Sequence, residues 1–153
     1  MAAHHVGRKT MAELGDVRRR VLATIERAKR DAADRRARAE VAEVSAQRFI
    51  EAIATPVVQQ VVSALRAEGL PYRVSTPAGS VRLMSESHQE DFIDLAVDTT
   101  DDPVTIMTLV SHTRGRREST TERVLRPGVA VDQLTDEDVL EFLLEALPVF
   151  VAR

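Results

Sequence analysis

Two of the four histidines, His88 and His112, lie outside the N-terminal tail. His88 is followed by Glu90 and Asp91, and one imidazole beside two carboxylates has the composition of a general base or a metal ligand set. The run reads equally as a polar turn between strands, and His112 at a strand end reads as a capping or packing residue. Ser85, Ser87 and Ser111 are hydroxyls without the Gly-x-Ser-x-Gly elbow that exposes a nucleophile. Asp98, Asp101 and Asp102 do not have calcium-loop spacing, and Asp102-Pro103 is ordinary turn chemistry. No nucleophile, base and orienting group are grouped, so no catalytic residue, cofactor or metal ligand is assigned. An enzyme around His88, Glu90 and His112 is the last of three functional readings.

Basic residues offer more. Between residues 18 and 38 nine basic side chains face three acidic ones, a net +6. Arg18, Arg19, Arg20, Arg27, Arg30, Arg35, Arg36 and Arg38, with Lys29, could follow a phosphate backbone, with affinity falling steeply as salt rises. No aromatic residue interleaves them, and no Asn or Gln is placed to read base edges, so only non-specific contact is expected. A solvated helix face is the plainer reading. A second cluster, Thr113-Arg114-Gly115-Arg116-Arg117-Glu118, puts Arg114, Arg116 and Arg117 at a loop fit to clamp a phosphate or carboxylate. It lacks the Gly-x-x-x-x-Gly-Lys pattern of a nucleotide-binding loop.

The elements that must position these groups follow from periodicity. Residues 1–10 are expected to be a disordered tail. From Met11 to Ala54 there is no Pro, the one Gly is Gly15, and Ala, Arg and Glu dominate, which predicts a helical arm over 11–54. At ~1.5 Å per residue it would run about 65 Å, longer than a domain of this size is wide. Part of it must therefore leave the core or pack on another chain. Leu14, Val17, Val21, Leu22 and Ile25 share one stripe at spacings of three and four and form the expected dimer contact. Val41, Val44, Phe49, Ile50 and Ile53 do the same near the far end. Between them Ala28, Ala32, Ala39, Ala42 and Ala46 continue a narrow, coiled-coil-like seam. Glu26–Arg30, Asp31–Arg35 and Asp34–Arg38 stand four apart, as ion pairs that support a helix do.

Thr55-Pro56 predicts a helix start or a kinked continuation. Val57, Val58, Val61, Val62 and Leu65 make its apolar face, and Gly69 and Pro71 end it. From Tyr72 to about Val131 the pattern has period two. It predicts a hairpin over 72–86, a strand over 91–99, a central strand over 104–113 covered on both faces, and a strand over 119–126. Thr135 with Asp136, Glu137 and Asp138 opens a last helix whose apolar residues are Val139, Leu140, Leu143, Leu144 and Leu147.

The sum is an α+β fold: long N-terminal arm (11–54), second helix, antiparallel meander of four to five strands, and a covering C-terminal helix, with 55–153 as the compact domain. Composition narrows the function. The 153 residues contain no Cys, which excludes disulfides, thiolate nucleophiles and Cys-ligated metals. No apolar run reaches membrane-spanning length and no signal-peptide core follows the N-terminus, so a cytoplasmic location is expected. Of 21 basic residues 19 are Arg, which with the abundant Ala and Val is the bias of a GC-rich bacterial genome. The first 40 residues carry +5 and the rest −8, two parts with different surroundings. Aromatics are 3%, too few for a stacking platform. The leading expectation is a non-enzymatic adaptor- or chaperone-like protein that forms a homodimer or higher oligomer through the arm and binds a protein partner. Nucleic-acid binding through the Arg-rich helix comes second.

Overall fold

The structure, a computed structural model, describes residues 2–152, with side chains from residue 13 onward. The expected tail, residues 1–10, lies outside the described side chains. The order is α1 (Ala2–Phe49), a π-helical turn (Ile50–Ala54), α2 (Thr55–Ala67), β1 (Tyr72–Ser75), β2 (Ser80–Ser85), β3 (Phe92–Asp98), β4 (Thr105–Arg114), β5 (Arg117–Val124), a 3₁₀ turn (Val131–Gln133), α3 (Asp136–Ala146) and α4 (Pro148–Val151). This is the expected α+β class. The chain divides into two compact units, residues 1–38 and residues 39–153.

In the first unit the helix is held by its own propensity, since nearly every residue of 13–38 is exposed. The ion pair along it is Arg20 Nε–Asp16 Oδ2 at 3.0 Å. Glu26–Arg30, Asp31–Arg35 and Asp34–Arg38, expected from their spacing, are not closed. Holding two long side chains in one rotamer offsets most of the Coulomb gain in water.

In the second unit the five strands pair antiparallel in the order β1-β2-β3-β4-β5, the expected meander. At Thr55-Pro56 the continuation, not the fresh start, is found. Thr55 keeps helical angles (φ −59°, ψ −48°), and both its N–H and its hydroxyl return to the Ile50 carbonyl, the hydroxyl at 2.7 Å. The wider turn accommodates Pro56, which has no N–H to give, so the chain passes through the proline helical. Helix α3 starts at the expected cap: Thr135 Oγ1 accepts from Asp138 N–H, and Asp138 Oδ2 accepts from Thr135 N–H at 2.9 Å.

One face of the sheet carries Val81, Leu83, Ile93, Leu95, Ile106 and Thr108, all fully buried, and the register sets them side by side. Phe49 and Ile50, Val58 and Val62, Val139 and Leu143, and Phe150 complete the core against them. The other face carries Arg82, Met84, Phe92, Asp94, Met107 and Leu109, all half-buried. The expectation that β4 is covered on both sides is thus corrected. The helices of residues 39–153 pack on one face, and on the other the long side chains shield one another. Arg82 spreads its guanidinium 3.9 Å above the Phe92 ring, so its methylenes and charge cover apolar surface together.

Candidate functional site

The histidine cluster resolves into structural contacts. His88 is exposed in the turn before β3, where its N–H and that of Ser87 donate to Ser85 Oγ at 3.2 and 3.1 Å. Glu90 is exposed, and its carbonyl accepts from the buried Ser111 hydroxyl at 2.7 Å. Asp91, also buried, accepts from Thr113 N–H at 2.9 Å. These bonds tie the β2–β3 connection to β4. His112 lies on the helical face, its ring edge-on to Phe150 with centroids 6.2 Å apart. Among the described residues no three His, Asp or Glu side chains group as metal ligands.

The Arg114–Arg117 segment is tighter than a loop. Arg114 and Arg117 face each other as the last pair of the β4–β5 register, leaving Gly115-Arg116 as a two-residue turn. Gly115 has φ +63° and Arg116 a negative φ, the type II′ pattern that matches strand twist. All three guanidinium groups are exposed, and none holds an ion pair with a described residue.

In the basic helix, Arg18, Arg19, Arg20, Arg27, Arg30, Arg35, Arg36 and Arg38 are all exposed. Arg20 is paired with Asp16, and Arg27 Nη2 donates to Thr24 Oγ1 at 3.4 Å. The others hold no ion pair with a described residue. On the same helix Leu14, Val17, Val21, Leu22 and Ile25 are 43–66% exposed. Five large apolar side chains on one stripe form a patch that water disfavours and a partner helix or groove would cover.

A second apolar surface involves the C-terminal helix, whose apolar face was expected to cover the sheet. Helices α2 and α3 leave between them a groove of about 480 Å³, walled by Val57, Val61, Ala64, Leu140, Leu144 and Leu147. Its polar lining is Gln60 and three carboxylates, Glu68, Asp136 and Glu137; among the described residues no basic side chain lines it. None of the three acids holds an ion pair with a described residue. Leu144, expected in the core, is 56% exposed and forms part of the wall. The signal was present: Val139, Leu140, Leu143, Leu144 and Leu147 span a wider arc than one packing contact can cover. Phe142 takes the buried place between them, with Arg123 5.6 Å from its ring.

On the outer sheet face Arg82 Nε and Asp94 Oδ1 are 3.6 Å apart, and neither atom reaches a hydrogen-bond partner. Burial among Met and Phe side chains raises the Asp94 carboxyl above its ordinary range, against the opposing pull of Arg82. Among the described residues no helix is long and apolar enough to cross a membrane. No protein-family model matches the chain. No curated protein and no solved structure matches it either.

Proposed function

We propose that this chain is a non-enzymatic, macromolecule-binding protein of the adaptor or chaperone-like kind, working as a homodimer joined through residues 14–25 of α1. The observation that carries the reading is the exposed stripe of Leu14, Val17, Val21, Leu22 and Ile25. Complete burial of one such side chain contributes about 1.5–3 kcal/mol, and a symmetric pair of copies contributes ten of them. Because each is already about half covered, the gain is on the order of 10 kcal/mol, comparable to the cost of association, so the dimer is reversible. The acidic surface of residues 39–153 or the exposed Arg114, Arg116 and Arg117 then face a protein partner in the bacterial cytoplasm. The test is sedimentation of the full chain at micromolar concentration. A dimer that Val21→Glu converts to monomer is expected, whereas a wild-type monomer ends the reading.

A second reading, non-specific nucleic-acid binding, is favoured by one observation: eight exposed Arg residues between residues 18 and 38, of which Arg20 alone holds an ion pair with a described residue. Anisotropy of labelled duplex DNA and RNA would then show binding at low salt that collapses as salt rises and weakens when Arg18, Arg19 and Arg20 become Gln. No binding at low salt would leave these residues as solvated helix surface.

A further inference from the structure

The stripe on α1 and the groove between α2 and α3 are complementary in three respects. The first is length. Residues 14–25 span roughly 17 Å of helix at ~1.5 Å per residue, and α3, the groove's shorter wall, spans about 16 Å. The second is polarity. The stripe offers anchors at i, i+3, i+7, i+8 and i+11, the pattern an amphipathic helix presents to a groove. The groove walls answer with Val57, Val61, Ala64, Leu140, Leu144 and Leu147. The third is charge. Arg18 lies within the stripe, one turn from both Leu14 and Leu22, with Arg19 next to it, while Arg20 is paired with Asp16. The groove lining has three carboxylates, Glu68, Asp136 and Glu137, and among the described residues no base. The guanidinium groups of Arg18 and Arg19 would meet the acids lining the groove, and apolar would meet apolar.

Resting on the homodimer reading above, we infer that the α2–α3 groove is the receptor for residues 14–25 of a second copy of this chain, so that two copies exchange arms. Such an exchange makes two equal contacts about a two-fold axis, each an arm in a groove. It covers both exposed apolar surfaces at once, whereas a seam of arm against arm covers only one. It also brings Arg18 and Arg19, the first bases of the basic segment, against the acidic unit of its partner.

The absence of cysteine makes the test direct, because any thiol is one that was introduced. Val21→Cys puts one on the stripe, and Ala64→Cys and Leu144→Cys put one on each groove wall, all at exposed positions. Single variants are mixed pairwise with a short bis-maleimide, and the products are weighed. The expected result is a linked species of twice the chain mass when Val21→Cys meets Ala64→Cys or Leu144→Cys, at least tenfold more than from Val21→Cys alone. Preferential linkage of Val21→Cys to itself means arm against arm; the homodimer then stands and the groove assignment is overturned. Linkage within a single chain of the Val21→Cys/Leu144→Cys double variant overturns the second copy as occupant. A sedimenting dimer without arm-to-groove linkage also overturns it. A wild-type monomer removes the homodimer and this inference together.

Discussion

Arg126 and Asp138 lock the exit of β5 to the start of α3: Nη1 of the guanidinium donates to Oδ1 of the carboxylate at 3.0 Å. The other carboxylate oxygen, Oδ2, accepts from Thr135 N–H at 2.9 Å, so one buried side chain closes both the capping box and a tertiary contact. A carboxylate there also faces the positive end of the helix. Burial alone would raise the Asp138 carboxyl. The bonds from Thr135 N–H, the Arg126 guanidinium and the Thr135 hydroxyl, with the charge of Arg126, together outweigh it and hold the group below its ordinary range.

Asp138→Asn should therefore destabilise residues 39–153 by about 1–2 kcal/mol at neutral pH, and Thr135→Ala by about 1 kcal/mol. The folded-state value is depressed, so the stabilisation is complete above the unfolded-state value and is lost as pH falls through the folded one. Urea unfolding of wild type and Asp138→Asn at a series of pH values should give curves that converge in acid. A gap that stays constant to the lowest pH would mean the carboxylate charge is irrelevant.

Asp94 should behave with the opposite sign. Its folded-state value is raised by burial, the larger effect, with Arg82 only partly compensating. Ionising it costs stability, so stability should increase as pH falls through the raised value toward the ordinary one. Asp94→Asn should leave residues 39–153 equally or more stable at neutral pH, by up to about 1 kcal/mol. Arg82 loses its pair, but its side chain is 33% exposed and keeps its place over Phe92. A loss of more than about 1 kcal/mol in thermal unfolding would show that the ion pair outweighs the desolvation.

These two carboxylates also show where sequence reading reaches its limit. Asp138 sits three residues after a Thr and before an apolar run, so its role in the cap was legible locally. Asp94 alternates with Ile93 and Leu95, which says that it leaves the core face. It does not say that Met84, Phe92, Met107 and Leu109 will surround it, because that depends on register between strands. Likewise Val57 to Leu65 and Val139 to Leu147 each announced an apolar face, while the groove between them depends on how two helices distant in sequence lie together. Thr55-Pro56 left a fresh start and a kinked continuation both open, because periodicity cannot see the bond from Thr55 back to Ile50 that carries the helix on. The exposed stripe of Leu14 to Ile25 could be read because its excess over what the domain can bury is already a property of the sequence.

Two glycines should respond oppositely to alanine. Gly115 has φ +63° at the first central position of the β4–β5 turn, which an L side chain adopts only with strain. Gly115→Ala should cost about 1–2 kcal/mol in denaturant unfolding although a Cβ meets nothing within 4 Å. Gly15 lies inside α1, where a Cβ also meets nothing within 4 Å. Gly15→Ala should favour the helix locally by about 0.8–1 kcal/mol. Stronger far-ultraviolet helix signal with an unchanged unfolding midpoint for residues 39–153 is the expected pair of readings. A weaker helix signal would mean that Gly15 serves a contact a methyl group obstructs.

The dimer makes a separate prediction for the arm amides. Anything that binds the folded form stabilises it by mass action, so protection conferred by a second copy must grow with protein concentration. Hydrogen exchange of residues 14–25 should slow as concentration rises through the dissociation constant. Leu14→Glu should abolish the effect by placing a carboxylate where an apolar partner surface is required, while Leu14→Ile should retain it. Salt separates this contact from binding to polyanions. Charge pairs at the rim are screened as ionic strength rises, but apolar burial is not. Arm protection should therefore survive half-molar salt, whereas any nucleic-acid binding by Arg18, Arg19 and Arg20 should not. Arm exchange that is independent of concentration over two decades would show that Leu14, Val17, Val21, Leu22 and Ile25 meet no second copy.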